Sequence, residues 1–282
     1  MSIRIGVVGA SSPLNPDVVA VTEEMARRLY PDDPPNFWFA PQCFEQDGHF
    51  AGSDAARAEA FVSVANDPGF DALWFGRGGY GSGRIIETVL PQLGPPARDK
   101  DYLGYSDAGA MLAALYGRGF TRLAHGPMPH DALGYGTPES AERGLRWLVE
   151  KDPATLEPSV DGRTPTAAFN IMMLSSLIGT PWQPDLTGHI LMLEEVAEYM
   201  YRIDRALFHI TSNLDIRKVA GVRLGRWTIT PNPTGEFGQT SEQVIAHWCE
   251  RAGVPYLGLA DIGHDAQNKV VPFGVYGRWF GA

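Results

Sequence analysis

Cysteine is nearly absent: Cys43 and Cys249 are the two in 282 residues. Two widely separated thiols build neither a disulfide framework nor a zinc site. Long hydrophobic runs are also missing, and no stretch approaches the ~20 apolar residues of a membrane span. The start, MSIRIGVVGASSPL, has one Arg and turns polar at Ser11, so it lacks the length and flanks of a signal peptide. Positive charge is scarce. Lys and Arg number 23 against 33 Asp and Glu, a formal net charge of -10, and no basic run occurs anywhere. Phosphate binding needs clustered Lys and Arg, so a nucleic-acid surface is not expected. Internal repeats and low-complexity tracts are missing as well. These absences leave a soluble cytoplasmic protein with no membrane or nucleic-acid partner as the expectation.

What is present is a globular composition, 44% hydrophobic and 20% charged, long enough for one large domain or two modest ones. The first part alternates strand and helix signals. IRIGVVGAS, NFWFAPQCF, DALWFG, DYLGYS and TRLAHGPM read as strands. DVVAVTEEMARRLY, SDAARAEAFVSVAND with Ser53 or Asp54 as N-cap, SGRIIETVLPQL and DAGAMLAALYGRG read as helices. Alternation of this kind predicts a parallel sheet with right-handed crossovers and ligands at the carboxyl ends of its strands. Those ends carry GAS, GRGGYG, YSD and HGPM. Residues 1–150 are therefore expected to form an α/β domain and the aperiodic, Pro-rich 151–166 a linker. Residues 167–282 are expected to form a smaller α+β domain containing GHILMLEEV, YMYRIDRALFHITS, VAGVRLGRWT and TSEQVIAHWCERAG.

Gly76, Gly78 and Gly81 in WFGRGGYGSGR match the G-x-G-x-x-G spacing of dinucleotide-binding loops. The context argues against that use. The fingerprint belongs in the first βα turn with an acid ending the next strand, whereas this loop follows a later strand, and Asp99 and Asp101 precede the next one. No G-K-[ST] follows for a Walker loop. A tight turn is the plain alternative.

LGYSDAG places Ser106 between an apolar strand and a helix, the setting of a nucleophile elbow, although the spacing is not G-x-S-x-G. A serine before Asp at a strand end can equally be a helix cap. A nucleophile needs a base, normally His, and a carboxylate to orient it. His209 and His247 fall in helical patterns, His49 in a polar loop and His189 at a turn, while His125 ends a sheet strand. His264 stands in ADIGHDAQNKVVPFG beside Gly263. Among acids, Glu194 emerges directly from the apolar strand LML, with Glu195 and Glu198 beyond as competitors.

Taken in order, RGGYGSGRI, GYSD, HGPM, LIGTPW, LEEVAEYMYRIDRAL and GHDAQNKVVPFG resemble the LD-carboxypeptidases, or muramoyltetrapeptide carboxypeptidases, over essentially the whole chain. The resemblance implies an α/β fold with a flavodoxin-like or glutamine-amidotransferase-like N-terminal domain. It implies a smaller C-terminal domain of swivelling β/β/α, barrel-like character. It further implies a serine peptidase with Ser106, Glu194 and His264 as catalytic triad and the N–H groups of Gly79 and Asp107 as oxyanion hole. The substrate implied is a murein tetrapeptide that loses its terminal D-alanine; no metal or cofactor is needed, and a homodimer is expected. Arg77 and His125 are possible pocket residues. Two departures stand out: AAFNIMMLS replaces a segment commonly GGNLS, and LEEVAE a segment commonly LEDVGE. A related branch, the microcin C self-immunity peptidases, cuts a peptidyl nucleotide with the same triad. A nucleotide-binding protein using Gly76 to Gly81 is the rival of another class.

Overall fold

The computed structural model describes residues 2–134, 136–232 and 235–276. The chain runs β1 (Arg4–Val8), α1 (Asp17–Leu29), β2 (Asn36–Phe39), α2 (Asp54–Asn66), β3 (Ala72–Phe75), α3 (Ser82–Val89), β4 (Asp101–Gly104), α4 (Ala108–Gly117), β5 (Leu123–His125) and α5 (Pro138–Glu150). It continues as β6 (Thr166–Asn170), α6 (Ile171–Leu177), β7 (Ile190–Glu198), α7 (Met200–Ser212), β8 (Gly221–Ile229), α8 (Ser241–Ala252), β9 (Tyr256–Leu259) and β10 (Val271–Pro272).

The first sheet has the order β10-β5-β4-β3-β1-β2, parallel except for β10. Its central strands are buried on both faces, which is why they read as continuous apolar runs in the sequence. The order 2-1-3-4-5 is the flavodoxin-like one, with its switch point between β1 and β3. Around it α1 packs with α5, and α2, α3 and α4 pack in series. Ser53 is the N-cap of α2, accepting from the Ala56 N–H at 3.1 Å. A cap of this type is worth ~1 kcal/mol.

The second sheet, β6-β7-β8-β9, is parallel throughout, so the smaller region is α/β and not the α+β arrangement its texture suggested. The reason is that β6 and α6 were hidden. TAAFN passes straight into IMMLSSL with Asn170 as the cap, its Oδ1 accepting from Met173 N, and no turn residue marks the junction. The helix α5 was likewise passed over. Although β10 lies in the expected second domain, it pairs antiparallel with β5 and belongs to the first sheet. One apolar core runs through both regions; Phe169 of β6 meets Phe273 edge-on at 5.3 Å. Among the described residues no helix is long and apolar enough to cross a membrane.

Candidate active site

The carboxyl edge of the first sheet gathers its loops around Ser106. The strand β4 ends at Gly104, and Ser106 follows with φ 58°, a left-handed conformation that costs a non-glycine residue of order 1–3 kcal/mol. The helix cap reading fails here. The cap position of α4 is Asp107, and no side chain caps this helix. Among the described residues Ser106 makes no side-chain hydrogen bond, and it lines a cavity of about 540 Å³.

Asp107 is buried, and its carboxylate reaches away from its own helix. Its Oδ2 accepts from the Ser82 N–H at 2.7 Å and from the Ser11 hydroxyl, while the Ser82 hydroxyl donates to the Asp107 carbonyl at 2.5 Å. One carboxylate thus ties GAS after β1 and the start of α3 to the serine turn. Among the described residues neither the Asp107 nor the Gly79 N–H is engaged as a donor.

The glycine loop after β3 closes over the serine. An added Cβ at Gly78 would lie 2.9 Å from both Cβ and Oγ of Ser106. The side of Gly79 that a Cβ would occupy is instead filled by Ser12, and its φ is +117°. Gly78 thus turns its Cβ side to Ser106, and Gly79 lines the same cavity. A Cβ at Gly81 would collide with the buried Arg57 guanidinium. On the side a Cβ would occupy, Gly76, Gly78, Gly79 and Gly81 pack against Leu14, Ser106, Ser12 and Arg57 respectively. Arg77 lines the cavity and donates through Nη1 to the Pro13 carbonyl at 2.9 Å.

From the second sheet, β7 carries Glu194 at its centre, beside Asn170 of β6. Strand alternation separates the two adjacent glutamates. Glu194 is fully buried and its Oε2 lies 2.6 Å from Nδ1 of His264, whose ring lines the cavity. Glu195 turns to the other side and accepts from Asn170 Nδ2, Met172 N and Val196 N. Burial, reinforced by the Glu194 charge, pushes the Glu195 carboxyl up to about 7. Glu198 accepts from the Tyr199 N–H. Burial lowers the His264 pKa, but the Glu194 charge and hydrogen bond outweigh it and leave it raised.

His125 lies beneath the site and not on the cavity wall. It is buried under Tyr105, the rings edge-on at 5.4 Å, and burial pushes its pKa down to about 4, so it is neutral. Tyr105, Met128, His130, Asp131 and Val196 line the cavity and were not singled out from sequence. Tyr105 packs its ring 4.6 Å from that of His264 and donates its hydroxyl to Asp131 Oδ1 at 2.8 Å. Burial pushes the Asp131 carboxyl up to about 6. His130 and Asp131 sit in a short 3-10 turn after HGPM, where no periodicity marks them. Among the described residues no cluster of three His, Cys, Asp or Glu side chains is arranged to hold a metal, and both cysteines are buried and free.

Residues 5–126 match the family model described as LD-carboxypeptidase N-terminal domain, and 165–278 match its C-terminal domain. A putative carboxypeptidase of Synechocystis sp. is 32% identical over 80% of this chain and 75% of its own length. The murein tetrapeptide carboxypeptidase of Pseudomonas aeruginosa is 27% identical over 80% of this chain and 78% of its own. Among solved structures, the muramoyltetrapeptide carboxypeptidase of Oxalobacter formigenes superposes with a TM-score of 0.77 at 20% identity, covering 95% of this chain and 93% of that one. The microcin C7 self-immunity protein MccF, of Escherichia coli, superposes with a TM-score of 0.75 at 18% identity over 97% of this chain and 91% of its own.

Proposed function

The chain belongs to the LD-carboxypeptidase family, and from that premise we propose that it removes the terminal D-alanine of murein tetrapeptides during cytoplasmic peptidoglycan recycling. The observation that carries the reading is the buried Glu194–His264 pair on the wall of the cavity that Ser106 lines.

In this reading Ser106 Oγ attacks the carbonyl of the amide between the L-centre of diaminopimelate and D-alanine. His264 Nε2 takes the hydroxyl proton, and Glu194 accepts the Nδ1–H bond that fixes the tautomer and steadies the imidazolium. The tetrahedral oxyanion meets the unengaged N–H groups of Asp107 and Gly79. Asp107 lies at the N-terminus of α4, where the helix dipole adds positive potential. Collapse breaks the C–N bond, His264 returns the proton to the leaving amine, and water then cleaves the Ser106 ester to release the tripeptide. Arg77 has guanidinium donors beyond the one bound to Pro13, and these supply a cation for the substrate carboxylate in an otherwise acidic protein.

The test is incubation of wild type and Ser106→Ala with disaccharide tetrapeptide, reading released D-alanine by mass spectrometry. Release by wild type and none by the variant is expected. Equal release by both, or none by either on any L,D-peptide, overturns the serine reading. A parallel arm with an aminoacyl sulfamoyl nucleotide tests the MccF-like alternative, which the similarity to that protein keeps in view.

A further inference from the structure

We infer that Arg226 is a positioning residue, which clamps the loop carrying His264 onto β8 so that the imidazole meets Glu194. Its consequence for turnover rests on the serine-peptidase reading above; its geometry does not.

Arg226 lies on β8, and its guanidinium is spent entirely on one neighbouring segment. Nε and Nη2 donate to Oδ2 and Oδ1 of Asp265 at 2.5 and 2.8 Å, and Nη1 donates to Asp261 Oδ1 at 2.5 Å. Its backbone N–H donates to the Ile262 carbonyl at 2.8 Å. The segment 261–265 is therefore held at its start, near its middle and at its end, and His264 stands inside the held stretch. A fork bound to one carboxylate by two bonds fixes direction as well as distance, which a lysine cannot do.

The preceding residue completes the arrangement from the other side. An added Cβ at Gly225 would lie 2.8 Å from both Glu194 Cβ and Ile262 Cγ1, so β8 runs in contact with the glutamate and with the start of the segment that carries His264. Two successive residues of one strand thereby set the carboxylate and the imidazole loop. Isolated surface ion pairs contribute little to stability. Arg226 differs in joining two acids of the same short segment, one of them next in sequence to His264. Arg143 of α5 adds a separate hold downstream, donating to the carbonyls of Ala266 and Asn268, while its charge also acts on Asp261 and Asp265.

The experiment compares wild type, Arg226→Gln, Arg226→Lys, Asp265→Asn and the double variant Arg226→Gln/Asp265→Asn. Two quantities are read: kcat and KM on an L,D-tetrapeptide, and the low-field proton resonance of His264 Nδ1–H. Loss of the clamp is expected to lower kcat by about 10- to 100-fold, the scale of a misplacement near 1 Å, with KM within about twofold. The resonance should shift or be lost to exchange. Lys should restore only part of the rate, and the double variant should be no worse than the worse single one, because the pair acts as a unit. An unchanged resonance and kcat in folded Arg226→Gln overturns the inference, as does a rate loss that merely follows the unfolded fraction. Should Arg226→Gln not fold, Asp265→Asn breaks the same contact from the loop side. If wild type releases no D-alanine, the peptidase reading falls, while the resonance comparison still decides the clamp.

Discussion

His264 Nδ1 lies 2.6 Å from Glu194 Oε2, joining residues 70 positions apart, with the carboxylate fully buried and the imidazole nearly so. Burial by itself disfavours imidazolium, so the raised pKa of His264 records how strongly the carboxylate acts on it.

A base must be neutral to accept a proton, so kcat/KM should fall as pH drops through the raised pKa of His264. Glu194→Gln removes the charge that raises it. The acid limb of the profile should then move to lower pH, and kcat should fall by about 10³- to 10⁴-fold. pH–rate profiles of both proteins measure this; a limb that stays in place would mean Glu194 does not set the base.

Glu195→Gln should behave differently. All three of its partners donate to it, and an amide turns one acceptor into a donor facing an N–H. The cost is about 1–3 kcal/mol of stability, read by chemical denaturation. The folded variant should retain kcat within about tenfold, and a loss as deep as that of Glu194→Gln would contradict the division of roles.

Gly78→Ala drives a methyl to 2.9 Å from the serine hydroxyl. The backbone at Gly78 needs no left-handed conformation, so the defect is steric and local. A fall in kcat on the order of 100-fold with fold retained is expected from steady-state kinetics and circular dichroism.

Asp107→Ala leaves the Ser11 hydroxyl and the Ser82 N–H without their acceptor, at about 1–3 kcal/mol for each buried group. Asp107→Asn keeps an oxygen where both bonds converge and should recover much of that loss. Equal melting temperatures for the two variants would show that the carboxylate does not tie the loops together.

Ala197 holds φ 53° at the position where LEEVAE departs from the glycine common in this family. Replacing it with glycine relieves a left-handed alanine and should stabilise the protein by about 1 kcal/mol. Differential scanning calorimetry of Ala197→Gly tests this, and a lower melting temperature would count against it.

The central strands β3 and β4 of the first sheet were legible because every residue in them is buried, while the edge strand β2 is only part-buried and showed through its aromatics. The smaller region was harder to read. Its parallel pairing depends on β6 and α6, which meet without Gly or Pro punctuation at Asn170. His130 and Asp131 escaped notice because a turn that follows HGPM has no period to betray it, and only the path of the chain brings it to the cavity. Conversely, GAS and the serine after it proved to matter through contacts invisible in sequence: Ser11 on Asp107 and Ser12 behind Gly79.

Local chemistry determined much of this protein. An apolar strand ending in GYSD, a glycine-rich turn after the preceding strand, and an acid emerging from LML are all short-range patterns, written in the order of the chain. What only the tertiary structure decided is which atoms meet. Glu194 and not Glu195 faces His264, because side chains alternate along β7. The Cβ side of Gly78 faces Ser106 and that of Gly79 faces Ser12, because backbone direction changes residue by residue through the turn. His125 is sealed beneath Tyr105 while His264 reaches the cavity, because pairing of distant strands, unlike propensity, is a property of the whole packed chain.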